Sequence, residues 1–207
     1  MTTHENKDLR QIQILDAAAE LFARNGFDRT SVDEIAKQAG LSKGAIYWYF
    51  PSKEKILIAL AEKYETAIQM AVMAMASEEQ FGAKALYLSH RYFFEMKAND
   101  PLPDLLFQQF ISMAQKYPEI GAALERNNRN WVRVISGLLE QAVARGDFKP
   151  FDTELLAESI SAIYRGVCTA KYDTPERAYQ TIEYATKLFY DALQPDNKKA
   201  AGGEEVA

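Results

Sequence analysis

The sequence predicts an all-α protein in two parts, an N-terminal three-helix domain and a C-terminal helical bundle, with about nine helices in total. Three observations carry this. Apolar residues recur at spacings of three and four, and no alternating run of strand type occurs. Pro, Gly and Asp/Asn/Ser clusters punctuate that pattern. A chain of 207 residues, 48% apolar and 26% charged, suffices for one or two self-sufficient cores.

The first helix carries Ile14, Leu15, Ala18, Leu21 and Phe22 on one face, and Asn25-Gly26 ends it in the manner of a left-handed C-cap. Ser31-Val-Asp-Glu34 is a capping box. The Ser hydroxyl accepts from the N3 amide and the Glu carboxylate reaches back, opening a second helix with Ile35 and Ala36 on its buried side. Gly40 closes that helix, Ser42 caps a third, and Leu41 is placed to staple onto Ile46. Two short helices joined by a tight glycine turn form a helix-turn-helix.

In the third helix Ile46 and Phe50 fall on the inner side. Lys43 and Tyr47, four apart, share an outer side with Ala45 and Tyr49 nearby. Trp48 is read with Phe50 as aromatic core. The outer side suits DNA. A helix N-terminus offers unpaired amides to phosphate, and Gly44 lacks the Cβ that would hold backbone away. Lys43 can reach guanine acceptors or phosphate, the Tyr47 and Tyr49 hydroxyls can bond phosphate, and the Ala45 methyl can meet a thymine methyl. Lys53, at the start of the fourth helix, extends the phosphate clamp.

The net charge of −5 argues against a protein that coats nucleic acid indiscriminately. Locally the balance inverts. Residues 29–55 hold Arg29, Lys37, Lys43, Lys53 and Lys55 against Asp33, Glu34 and Glu54, a net +2 that leaves −7 for the rest.

From Lys53 a long helix carries Ile56, Leu57, Leu60, Tyr64, Ala67, Ile68 and Ala71 at helical spacing. Further helices are expected at 81–97, 103–116, 118–145, 152–171 and 175–193, separated by breaks such as Asp100-Pro-Leu-Pro, Gly146 and Thr174-Pro. The domain reading is 1–55 for DNA binding, 56–194 for effector binding and dimerisation, and 195–207 as a small, charged, disordered tail.

Other classes find little support. Residues 1–13 hold no apolar signal region, and later apolar stretches are broken by charge, so a cytoplasmic address without membrane attachment is expected. His4, His90 and the lone Cys168 show no zinc spacing, and Cys168 reads as a structural thiol rather than an oxidation sensor. No cofactor or metal is expected. No Glu-x-x-His pair, P-loop or Gly-x-Ser-x-Gly occurs, so an all-helical enzyme is a poor reading.

The run ILDAAAELFARNGFDRTSVDEIAKQAGLSKGAIYWYFPSKEKIL resembles the DNA-binding domain of the tetracycline-repressor (TetR/AcrR-type) family, through ILDAA, LF, TSVDEIA, AGLSKGAIYWYF and SKEKIL. The resemblance implies phosphate contacts from Thr30 and Ser31, with capping the main duty of Ser31. It implies recognition-helix contacts from Ser42, Lys43, Gly44, Ala45 and Tyr47, and a phosphate side completed by Tyr49 and Lys53. Tyr49 stands where the family often has histidine.

It also implies a homodimeric repressor that reads palindromic double-stranded operator DNA and is released by a small apolar or amphipathic effector. One recognition helix is too small a surface for high affinity, so a second half-site about 34 Å away is expected. Release is read as a population shift in which effector tilts the long helix from Lys53. A hundredfold preference for the released form corresponds to about 2.7 kcal/mol. An alternative keeps DNA binding but gives the helical domain a protein partner, making the chain an adaptor; a packed domain without an apolar cavity would favour it.

For the effector pocket the candidates are Phe94, Phe107, Phe110, Asn127, Trp131 and Tyr164, with Phe93, Met96 and Met113 nearby. Asn127 and Asn128 interrupt an apolar stripe, so one of them could orient a ligand. For the dimer interface the family implies the last two helices, whose stripes are Leu156, Ile160, Ile163, Val167 and Tyr179, Ile182, Leu188, Phe189.

Overall fold

A computed structural model describes residues 3–77, 102–170 and 172–195. Among these residues the chain is wholly helical: α1 (Thr3–Asn25), α2 (Val32–Gln38), α3 (Lys43–Tyr49), α4 (Lys53–Ser77), α5 (Leu102–Ala114), α6 (Pro118–Ala144), α7 (Thr153–Thr169) and α8 (Pro175–Leu193). The helix expected at 81–97, with His90, Phe93, Phe94 and Met96, lies outside the described residues, as does the tail from 196. No described helix is long and apolar enough to cross a membrane.

The short helices start where the caps place them. Ser31 closes the full capping box with Glu34, and Ser42 accepts from the Ala45 amide at 3.1 Å. Asp152 and Thr174 cap α7 and α8 in the same way, each accepting from an amide three residues on. Gly40 turns the chain between α2 and α3 at φ 63°, a backbone conformation that a Cβ would strain.

The described residues divide into two compact units. The first takes residues 3–66 and 102–127, so the chain from α5 into α6 belongs with the N-terminal helices. Its core gathers Ile14, Ala18 and Phe22 of α1, Ile35 of α2, Ile46 of α3, Ile56 and Leu60 of α4, Phe110 of α5 and Ile120 of α6. The second takes residues 67–77 and 128–195 as far as they are described. Its core is Val72, Val132, Ile135, Leu139, Phe148, Ala157 and Ile160. Within it Asn128 accepts from the buried Ser161 hydroxyl at 2.6 Å.

Candidate nucleic-acid interface

The outward face of α3 is built by what its other face must bury. Ile46 is fully buried, Phe50 nearly so, and Tyr49 is half-buried against the same core. At about 100° per residue, those three positions leave Gly44 at the centre of the opposite side, flanked by Tyr47 and Trp48, with Lys43 at the edge. Exposure agrees: Tyr47 is 44% exposed and Trp48 69%. Trp48 is therefore not core. Placing it beside Phe50 in the core was the error of reading an aromatic run without its angular position, and helical geometry alone could have corrected it.

Gly44 forms the floor between the two aromatic rings. A Cβ there would meet only the Ser42 hydroxyl, at an ordinary 3.9 Å, so nothing inside the protein requires glycine. What a side chain would obstruct is approach from outside. Ser42 and Lys43 are exposed beside it, and Ala45 is half-buried.

Lys43 Nζ lies 2.8 Å from Asp33 on α2, both side chains more than half exposed. The hydrogen bond and charge of that carboxylate raise the lysine's affinity for its proton, so it stays cationic. An exposed pair of this kind contributes little net stability and can be exchanged for a phosphate. Asp33 was not among the expected site residues, because its proximity to Lys43 is set by the angle between α2 and α3.

Two residues expected to contact phosphate, Thr30 and Lys53, have their polar atoms engaged within the protein. The Thr30 side chain is buried at 1% exposure, and its hydroxyl is within hydrogen-bond reach of the Gly26 and Leu21 carbonyls at 2.9 and 3.3 Å. Lys53 donates to the Phe27 and Thr30 carbonyls at 2.7 and 2.8 Å, with the Asp28 carbonyl at 3.4 Å, and its ammonium stands 4.3 Å from the Phe27 ring centroid. Three donors are thus engaged inside the protein. Desolvation lowers its pKa, with nearby acids opposing the shift. Lys53 thus closes the α1–α2 turn. The Ser31 hydroxyl is committed too, donating to Glu34 Oε2 at 2.7 Å while accepting from its amide at 3.2 Å. The Ser31 backbone amide, which donates to Glu34 Oε2 at 2.7 Å, and then the Ser31 hydroxyl hold the Glu34 carboxyl below its usual range.

The turn that feeds α2 is fixed by residues that sequence reasoning missed. The Gln109 carboxamide on α5 accepts from the Phe27 amide and donates to the Phe22 carbonyl, both at 2.7 Å. Lys116 and Tyr117 donate to the Asp28 carboxylate at 2.8 and 2.9 Å, keeping it ionised to lower pH than an ordinary aspartate. Phe27 meets Tyr117 edge-on at 5.4 Å. These partners stand more than 80 residues apart, so no local pattern announces them.

The remaining expectations are redistributed. Phe110 is sealed in the core of the first unit, Phe107 and Asn127 are half-buried there, and Trp131 and Tyr164 pack against the core of the second. Ile160, Val167 and Ile182, expected at a dimer interface, are buried in the single subunit, Ile160 within the core of the second unit. Leu156, Ile163, Tyr179 and Phe189 are half-buried, while Leu155, Tyr184 and Leu188 are well exposed. Cys168 is a half-buried free thiol.

Residues 14–60 match the family described as bacterial regulatory proteins, tetR family. The fatty acid metabolism regulator protein of Bacillus subtilis (strain 168) is 32% identical over 149 residues, which is 70% of this chain and 74% of that one. The solved structure of the transcriptional regulator FadR from Bacillus subtilis in complex with stearoyl-CoA is similar at a TM-score of 0.71 and 26% identity, covering 84% of this chain and 97% of that one. Salmonella enterica GusR shares the fold at a TM-score of 0.76 and 22% identity, with 89% and 95% covered. With the first relative matched over nearly three-quarters of its length, and the family match lying on the unit that presents α3, this chain belongs to the TetR family of bacterial transcriptional regulators and is not an enzyme.

Proposed function

We propose that the protein is a homodimeric repressor that holds a palindromic operator through two copies of α3 and releases it on binding a long-chain fatty acyl thioester. The single observation behind the DNA half is the glycine floor at Gly44 between the exposed rings of Tyr47 and Trp48, with Lys43 at its edge. A groove edge can approach the backbone there, the tyrosine hydroxyl can meet phosphate, and Lys43 can exchange Asp33 for a phosphate or a guanine.

Pairing is assigned to α7 and α8, with a different set of side chains from the buried stripes. On α7 the exposed Leu155, Ala162 and Gly166 and the half-buried Ser159 recur at four, three and four, a narrow stripe of mostly small residues that lets a second helix approach closely. On α8 the matching stripe is Thr181, Tyr184 and Leu188. Covering Leu155, Tyr184 and Leu188 removes from water the large exposed apolar side chains of α7 and α8. Two α3 helices brought to successive major grooves then lie about 34 Å apart.

The effector class is supported by the relative solved with stearoyl-CoA, which this chain resembles across most of its length. Selection of bound duplexes from genomic fragments, followed by anisotropy titration with and without stearoyl-CoA, tests the whole reading. A palindrome released by the thioester is the expected result. No sequence preference would overturn the DNA half, and a recovered operator whose affinity ignores the thioester would overturn the effector half.

A further inference from the structure

The apolar stripe of α1 that packs into the first core begins at the fully buried Ile14 and continues through Ala18 and Leu21. Followed two turns toward the N-terminus, the same side of the helix carries Lys7, seven residues before Ile14, with Arg10 between them. Both are exposed. The helix therefore outruns its core and presents cations on the side where its neighbours are α2 and α3.

Two contacts fix that placement. Gln13 donates to the Ala39 carbonyl at the end of α2, at 2.6 Å, and Arg10 in turn donates to the Gln13 side chain at 2.8 Å. Lys7 Nζ stands 5.7 Å from the centroid of the Trp48 ring, within the range of a cation–π contact. Trp48 is itself held edge-on against Tyr49 at 4.6 Å. Asp8 is exposed but sits about 100° round the helix from Lys7, turned further from the Ile14 side.

We infer that Lys7 and Arg10, set beside the recognition helix by Trp48 and Gln13, form a second DNA-phosphate contact that extends the α3 surface. The inference rests on the DNA-binding reading above but not on any operator sequence. The exposed indole holds the ammonium alongside the reading face without burying it, which leaves the charge available to a phosphate oxygen. Arg10 has donors to spare beyond the one given to Gln13.

Each phosphate neutralised by a protein cation contributes about 0.9 to the slope of log affinity against log salt, whatever the base sequence. The test is that slope for wild type, for Lys7→Gln/Arg10→Gln, and for Lys7→Arg/Arg10→Lys, each measured on the selected duplex and on a scrambled duplex of equal composition. The neutral variant is expected to flatten the slope by about 2 per subunit and to weaken both duplexes by about tenfold near 0.1 M salt, with unchanged melting. The charge-conserving variant restores the wild-type slope. An unchanged slope in the neutral variant overturns the inference. A wild type that shows no preference for the selected duplex sinks the operator reading instead, while the slope on the scrambled duplex still decides the role of Lys7 and Arg10.

Discussion

The two compact units solve the same problem, burying one side of each helix, with different freedom left over. In the first, α2 and α3 are seven residues each, so a buried Ile35 or Ile46 and a capping serine fix every remaining direction. The outward residues follow by subtraction. In the second, α7 and α8 are longer helices that bury one set of apolar residues and leave Leu155, Tyr184 and Leu188 exposed. Ile160 goes inward and Leu155 stays out, although both are aliphatic and both lie on α7. Short capped helices make function readable from local rules; long helices with surplus apolar surface leave the choice to packing.

The largest effect expected to sharpen this contrast is in the second unit. Ile160→Ala removes a fully packed side chain and should lower stability by about 2–5 kcal/mol in a denaturant melt. Tyr184→Glu with Leu188→Glu should leave the subunit folded yet shift sedimentation equilibrium to monomer. If Ile160→Ala instead separated subunits without loss of stability, the assignment of inner and outer stripes would be reversed.

The first unit should behave in the opposite way, losing function without losing fold. Gly44→Leu meets no internal obstacle, so melting should hold, while affinity for the selected duplex falls about a hundredfold, equivalent to about 2.7 kcal/mol. Retained affinity would mean that nothing approaches the glycine floor. Lys53→Met lies between these extremes. Because its ammonium bonds turn carbonyls, the expected result is a stability loss of about 1–3 kcal/mol with no change in the salt dependence of DNA binding. A flattened salt slope at unchanged stability would return Lys53 to the phosphate side.

The smallest effect concerns Glu65 on α4, whose pKa is raised from 4.5 to about 7 by burial, with the neighbouring Glu62 adding to it. A raised carboxyl binds its proton more tightly in the folded state, so its contribution to stability is complete below pH 4.5 and is lost as pH rises through 7. Glu65→Gln should therefore stabilise the protein at pH 8 and change little at pH 4, read as the difference in melting temperature between the two. Equal shifts at both pH values would remove burial as the cause.

Lys53 and Trp48 show where sequence reasoning stopped. Both sit in the stretch with the strongest motif, and the caps, the Gly40 turn and the outward Lys43 and Tyr47 all stand where local rules place them. Trp48 was misplaced because its character, not its angle, was weighed. The turn contacts of Lys53 were invisible because its partners, the carbonyls of Phe27 and Thr30, lie more than 20 residues away. The Gln109 bridge to Phe22 and Phe27 was invisible for the same reason.

By itself the sequence determined the helical class, the boundaries of the short helices and the chemistry of α3, because caps, glycine turns and 3.6-residue periodicity act over one or two turns of chain. Tertiary structure alone decided that Thr30 and Lys53 serve the turn, that Asp33 stands against Lys43, that Lys7 lies over Trp48, and which aliphatic stripe of α7 and α8 is turned inward. The physical reason is that a hydrogen bond or a buried face is a property of two surfaces, and the second surface in each case comes from a different element of the fold.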